Sequence, residues 1–210
     1  EPFGCPDDLV GTEVQDRGLA CANLAPDCTL QALAVLRERL DDLGIADNTI
    51  IIFLADNGTD TGLINQWGEG KSIAGGKGTM TDRGTHVPLL IRWPGKIKAG
   101  SVCEDLVDFT DFLPTLCELT GAKLPEPSIH GRSFAPQLLG QPGQPREWIH
   151  IQNGDNRQLR NHDYMLTDKD QLRRVVPLWE DPAKPNENSD PVKDAAVRKS
   201  LQAVFEALGK

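Results

Sequence analysis

Residues 54–62 read "LADNGTDTG", and the triplet Asp56-Asn57-Gly58 follows a run of β-formers, Thr49 to Phe53. Asn-Gly turns a chain on its own account, so a plain turn is the simplest reading. The same residues can also do chemistry. A carboxylate beside an amide carbonyl offers two hard oxygen ligands, suited to Ca²⁺ or Mg²⁺ rather than zinc. In open α/β sheets, sites gather beyond the carboxyl ends of strands, where this triplet is expected to sit. Two ligands do not complete a site, so the others must come from elsewhere.

"GGKGT", residues 75–79, is the second candidate. Glycines on both sides let backbone approach a ligand and leave Lys77 unobstructed. A lysine is a compact point charge, able to neutralise a developing oxyanion, although a lysine in such a loop is more often solvated. "GEGKS", residues 68–72, is not a phosphate-binding P-loop. That pattern needs Gly five residues before its Gly-Lys pair, and position 65 is Asn. His86 is the best acid–base candidate of the four histidines, and His150, within an alternating segment, reads as structural. No Ser-His-Asp or Cys-His arrangement emerges from the spacings. Arg157, Arg160, Lys169, Arg173 and Arg174 form a loose basic cluster that reads as a solvated face.

The elements that must position these residues are legible from periodicity. "TLQALAVLRERLDDL", residues 29–43, has helical apolar spacing and Gly44 as its stop. "NTIIIFLAD" then suits a strand covered on both faces, and "VPLLIRW" a second one ended by the turn "PGK". The long glycine-rich connection between them, 57–85, is a functional-loop candidate. "TDFLPTLCELTG" reads as a helix with Thr110 as N-cap, Pro114 in its first turn and Gly121 at its end. Helix followed by buried strand gives an α/β class with a mostly parallel sheet. After about residue 140 the segments "WIHIQ", "HDYMLT" and "LRRVVPL" suggest a small antiparallel sheet. A last helix, capped by Asp190, carries the stripe Val197, Leu201, Val204 and Leu208. The expected division is 1–140 and 141–210.

The 210 residues are 39% hydrophobic and 25% charged, as in ordinary globular domains. A formal charge of −9 argues against nucleic acid as the partner but does not exclude a small anion. The longest apolar run, 50–55, is too short to span a bilayer. The opening "EPFGCPDDLVG" lacks an initiator Met and is expected to continue a longer chain. Of five cysteines, Cys21 could pair with Cys28, and Cys103 with Cys117, or all could be free thiols.

The ordered motifs "LDDLGIADNTIIIFLADNG", "GGKGTMTDRGTHVPLLIRWPGKIKAG", "DLVDFTDFLPTLCELTGAKLP" and "IHGRSFAPQLLG" resemble the sulfatase family, the arylsulfatase-type branch of the alkaline phosphatase superfamily. The resemblance covers about residues 28–140 and continues more weakly beyond. It implies an alkaline-phosphatase-like sheet flanked by helices and a metal-dependent sulfuric ester hydrolase using Ca²⁺, with Mg²⁺ second. It further implies that Asp56 and Asn57 ligate the metal and that Lys77 contacts the sulfate group. The substrate would be a sulfated small molecule or glycan, and the location periplasmic or secreted. Two departures qualify this. The family's nucleophile is a formylglycine made from Cys in Cys-x-Pro-x-Arg, and no such motif occurs here. The chain therefore reads as a C-terminal portion, expected to be inactive by itself. His86 stands where the family often has Arg, so it stays outside the catalytic set. Alternatives are a phosphatase, phosphodiesterase or phosphonate hydrolase of the same superfamily, or a non-catalytic binding module.

Overall fold

The computed structural model describes residues 10–11, 26–67, 70–125, 130–180 and 191–209. Helix α1, Pro26–Asp42, ends as its sequence dictates. Gly44 takes the left-handed conformation at φ 66°, Gly44 N donates to Asp41 O at 2.9 Å, and Ile45 N donates to Leu40 O at 3.1 Å. Those two bonds satisfy carbonyls that the helix end would otherwise orphan.

The chain then enters β2, Ile51–Leu54, which pairs with β5, Leu89–Arg92. The register runs from Ile51 opposite Arg92 to Leu54 opposite Leu89. A two-residue strand, β1 at Val10–Gly11, covers the other edge of β5, so the order is β1-β5-β2. The α/β character is as expected. The parallel pairing is not found among the described residues, where both pairs are antiparallel. The reason lies in the connection 55–88, which holds a hairpin and one short helix and no long crossover helix. A parallel partner requires the chain to return to the opposite end of the sheet. Here it re-enters at the end it left.

Within that connection, β3 (Ile64–Trp67) and β4 (Lys71–Ala74) form the hairpin, and α2 (Asp82–Thr85) is one helical turn. After β5, a 3₁₀ turn at Phe109–Asp111 leads into α3, Phe112–Thr120. The cap is Asp108 rather than Thr110. Asp108 Oδ1 accepts from Thr110 N at 2.9 Å, and Asp111 Oδ2 accepts from Asp108 N at 2.8 Å. That reciprocal pair satisfies two N-terminal donors at once. Gly121 ends α3 at φ 72°, as expected. A short helix α4, Ala135–Leu138, interrupts the Pro- and Gly-rich stretch. Ile91, Ile97, Phe134 and Leu138 form the core here, with Ile52, Phe112 and Trp93 packed against it.

The C-terminal sheet has four strands, one more than the sequence pattern suggests: β6 (Ile149–Asn153), β7 (Asn156–Arg160), β8 (Tyr164–Thr167) and β9 (Leu172–Arg174). They form an antiparallel meander in chain order. The unexpected strand is β7, whose "NRQLR" carries a single large apolar residue. Its pairing comes from the tight turn at Gly154, φ 60°. Leu159 and Leu166 face one another across β7 and β8, both fully buried, and helix α5, Pro191–Leu208, lays Leu201, Val197, Val204 and Phe205 on them. Leu208 of the expected stripe is 39% exposed and stays outside this core. Asp190, the expected cap, lies outside the described residues.

Candidate active site

β2 delivers Asp56 and Asn57 just beyond its carboxyl end, and the turn is fixed by glycine chemistry. Gly58 N donates to Gly84 O at 2.9 Å. A Cβ on Gly58 would lie 1.8 Å from Arg83 O, so no other residue allows this approach of turn and α2. The Lys77 loop is sewn to the same turn. Gly76 N and Lys77 N both donate to Thr59 O, at 3.0 and 2.9 Å. A Cβ on Gly75 would meet Asp60 O at 1.9 Å, and one on Gly84 would meet Thr79 O at 2.3 Å. The glycines that read as a ligand-binding loop thus have a packing duty. They stack three backbone segments at distances that side chains forbid.

Asp56 and Asn57 line a cleft of about 770 Å³. Its walls come from the 78–87 loop and α2, from residues 103–109, and from β6 with His162 and 175–178. Asp56 is exposed and Asn57 half-buried. Among the described residues, neither side chain makes a hydrogen bond or ion pair, so both oxygens are available as ligands. Lys77 is exposed and equally uncommitted. Its neighbours Gly78 and Thr79 line the cleft, and Lys77 itself is not among the lining residues. The donor chemistry of Asp56 and Asn57 fits a hard divalent cation, while their number falls short of the six to eight oxygens Ca²⁺ takes. Among the described residues, no cluster of three or more His, Cys, Asp or Glu supplies the remainder.

His86 caps α2, its N–H donating to Asp82 O at 2.9 Å, and it lines the cleft. His150 on β6 is also among the residues lining the cleft, and its Nε2 is buried with no hydrogen-bond partner among the described residues. Burial pushes its pKa down, the Arg157 charge adds to this, and Asp108 opposes it. The shift favours the neutral imidazole. Cys103, in the opposite wall, is a free thiol whose pKa burial pushes up, so it is a poor nucleophile at neutral pH. Cys117 is free as well, so these two do not pair; Cys21 lies outside the described residues.

Sequence reasoning missed how this site is held. Arg160 is no part of a solvated face. Its Nε and Nη2 donate to Asp82 Oδ1 and Oδ2 at 3.1 and 3.0 Å, with side chains only 11% and 8% exposed. Of the others, Arg157 pairs with Asp168 at 3.8 Å, Lys169 donates to Asn156 and Arg173 is exposed, whereas Arg174 is half-buried beside Asp194 at 3.7 Å. A second buried pair, Arg146 with Asp111, ties the entry to β6 to the start of α3. Nothing in the spacing of Asp82 and Arg160, 78 residues apart, could have signalled their contact. Lys71 of the rejected P-loop pattern lies on β4, its ammonium 4.4 Å from the Trp179 ring.

Known proteins share both sequence and fold with this chain. The model of the sulfatase family matches residues 27–122, and that of the N-sulphoglucosamine sulphohydrolase C-terminal region matches residues 75–204. Arylsulfatase A of Homo sapiens is 39% identical over 116 residues, which cover 55% of this chain and 23% of that protein. The ulvan-active sulfatase of Formosa agariphila is 39% identical over 103 residues, 49% of this chain and 18% of that protein. The chain therefore spans less than a quarter of the length of these relatives. Among solved structures, a complex with its substrate D-glucosamine-2-N,6-O-disulfate superposes with a TM-score of 0.63 at 26% identity, covering 85% of this chain and 37% of the other. Phosphonate monoester hydrolase of Agrobacterium radiobacter shares the fold, with a TM-score of 0.60 at 22% identity, over 85% of this chain and 38% of that one. The N-sulphoglucosamine sulphohydrolase match alone takes in well over half of the residues, and the chain belongs to the sulfatase family.

Proposed function

We propose that this chain forms the C-terminal part of a metal-dependent sulfuric ester hydrolase that cleaves a sulfate monoester of a small molecule or glycan. The observation that carries the reading is the pair Asp56 and Asn57, uncommitted and side by side beyond β2, in the wall of one cleft. Asp56 and Asn57 would hold Ca²⁺, which when bound supplies Lewis-acid neutralisation of the sulfate charge. Lys77, in the loop whose next residues line the cleft, would bring an ammonium to a sulfate oxygen and offset charge that builds up as the ester bond breaks. Gly58, Gly75, Gly76 and Gly84 keep turn and loop together so that both groups address the same anion. The nucleophile, a formylglycine by family resemblance, lies outside these 210 residues, and this part alone does not turn over substrate.

Turnover of an aryl sulfate by the complete enzyme tests the reading. Lys77→Ala and Asp56→Ala should each lower kcat/KM about a hundredfold or more, the scale seen when one electrostatic stabiliser is removed. Calcium titration by calorimetry should show tight binding that Asp56→Ala and Asn57→Ala both weaken. Unchanged activity in these variants would defeat the assignment. Efficient turnover of an aryl phosphate or phosphonate monoester, with none of the sulfate, would move the enzyme to phosphoryl chemistry.

A further inference from the structure

The two faces of the C-terminal sheet have different duties. Because successive side chains on a strand point to opposite faces, Leu159 of β7 points to α5 while Gln158 and Arg160 point away from it. The face opposite α5 meets the loop that follows Lys77. Asn153 Nδ2, at the end of β6, donates to Gly78 O at 2.9 Å. Gln158 Nε2 donates to Met80 O at 2.8 Å. Arg160 grips the Asp82 carboxylate with two hydrogen bonds. Three donors from one hairpin thus engage residues 78, 80 and 82, every second residue immediately after Lys77. From the other side Arg83 donates to Leu178 O and Glu180 O, at 2.9 and 2.8 Å, so the loop is held to the exit of β9 as well.

The loop needs such support. Gly78 at φ 79° and the surrounding glycines give it little stiffness of its own. Its own backbone bonds fix Gly76 and the Lys77 backbone N–H through Thr59, and none of them reaches from residues 78–82 into the sheet. A bidentate guanidinium–carboxylate pair sets direction as well as distance, which a lysine at the same place would not.

We propose that the β6–β7 hairpin is a positioning device for Lys77, with Asn153, Gln158 and Arg160 as positioning residues acting through the 78–82 segment. The inference rests on the sulfatase reading of Lys77. It makes the C-terminal sheet a working part of the active site, although none of the three residues need touch sulfate.

The test uses the complete enzyme with an aryl sulfate as substrate and inorganic sulfate as competitive inhibitor. Asn153→Ala, Gln158→Glu and Arg160→Lys should each lower kcat/KM tenfold or more and weaken inhibition by sulfate in proportion. Hydrogen exchange of the amides of 76–82 should accelerate in the same variants. Leu201→Ala, which loosens the α5 face of the same sheet, serves as the control for mere destabilisation. Assayed well below its melting temperature, it should keep kcat/KM and sulfate inhibition within twofold. If Arg160→Lys does not fold, the exposed Asn153→Ala still decides the matter. Lys77→Ala separates the two levels. If it is crippled while the three hairpin variants stay within twofold of wild type, the positioning role is wrong and the sulfatase reading stands. If Lys77→Ala is itself fully active on the aryl sulfate, the role of Lys77 at the sulfate group fails and this inference falls with it, while the sulfatase reading stands.

Discussion

At Gly58 the backbone of the Asp-Asn turn passes within contact of Arg83 O, and a methyl group there has no place to go. Gly58→Ala should therefore destabilise the protein by at least about 2 kcal/mol, the upper part of the range for overpacking, measured as a shift in chemical denaturation midpoint. Gly44→Ala, where the backbone is left-handed at φ 66° but space around the Cβ is open, should cost only about 1 kcal/mol. His150 yields a prediction in pH. Its folded pKa lies below the ordinary 6.5, so on acidification the unfolded chain takes up the proton first. The stability it contributes is complete above about pH 6.5 and is lost as pH falls from there through the folded value. His150→Gln should flatten that part of the stability–pH curve relative to wild type. The Cys103 thiol, raised by burial, should alkylate with iodoacetamide at pH 8 more slowly than a free thiol in a peptide. Asp56, Asn57 and Lys77 were nameable from residue type and motif order. Asp82 and Arg160 were not, because an ion pair between distant residues leaves no local pattern.

Among the elements, α3 and the approach to β6 are joined by one carboxylate. Asp111, 2% exposed, accepts from Arg146, from Arg132 N at 2.7 Å and from Asp108 N at 2.8 Å. Asp111→Ala would leave the Arg146 guanidinium, 10% exposed, without its main partner, a loss of roughly 3–5 kcal/mol. The double variant Asp111→Ala, Arg146→Ala should be less destabilised than the sum of the two single changes, and a double-mutant cycle measures the difference. Leu201→Ala should cost about 2–5 kcal/mol by opening a cavity under α5. Helices α1, α3 and α5 were legible because amphipathic spacing and terminal glycines are local signals. β7 was not, since its pairing depends on the tight turn before it and its polar face is spent on the Lys77 loop.

For the whole molecule, large apolar side chains stand in solvent along one helix and its exit: Val35 at 64%, Leu36 at 44%, Leu43 at 52% and Ile45 at 45% exposed. Ile64 on β3 is 65% exposed. Exposed apolar residues grouped in this way promote association. Sedimentation of the isolated 210 residues should show self-association that Val35→Lys with Leu43→Lys reduces. A strictly monomeric chain at tens of micromolar would contradict this. Among the described residues, no helix is long and apolar enough to cross a membrane.

The sequence by itself determined the α/β character, the glycine stops of α1 and α3, the small sheet near the C-terminus and the residue types able to meet a cation and an anion. These follow from periodicity, turn chemistry and motif order, all of which act over a few residues. Tertiary structure alone decided that β2 and β5 run antiparallel, that the glycines stack backbone on backbone, and that the residues following Lys77 line the cleft. It also turned Arg160 from a surface charge into the anchor of the loop beside Lys77. Those outcomes depend on which distant segments meet, and burial then sets the worth of each charge and hydrogen bond once water has been removed.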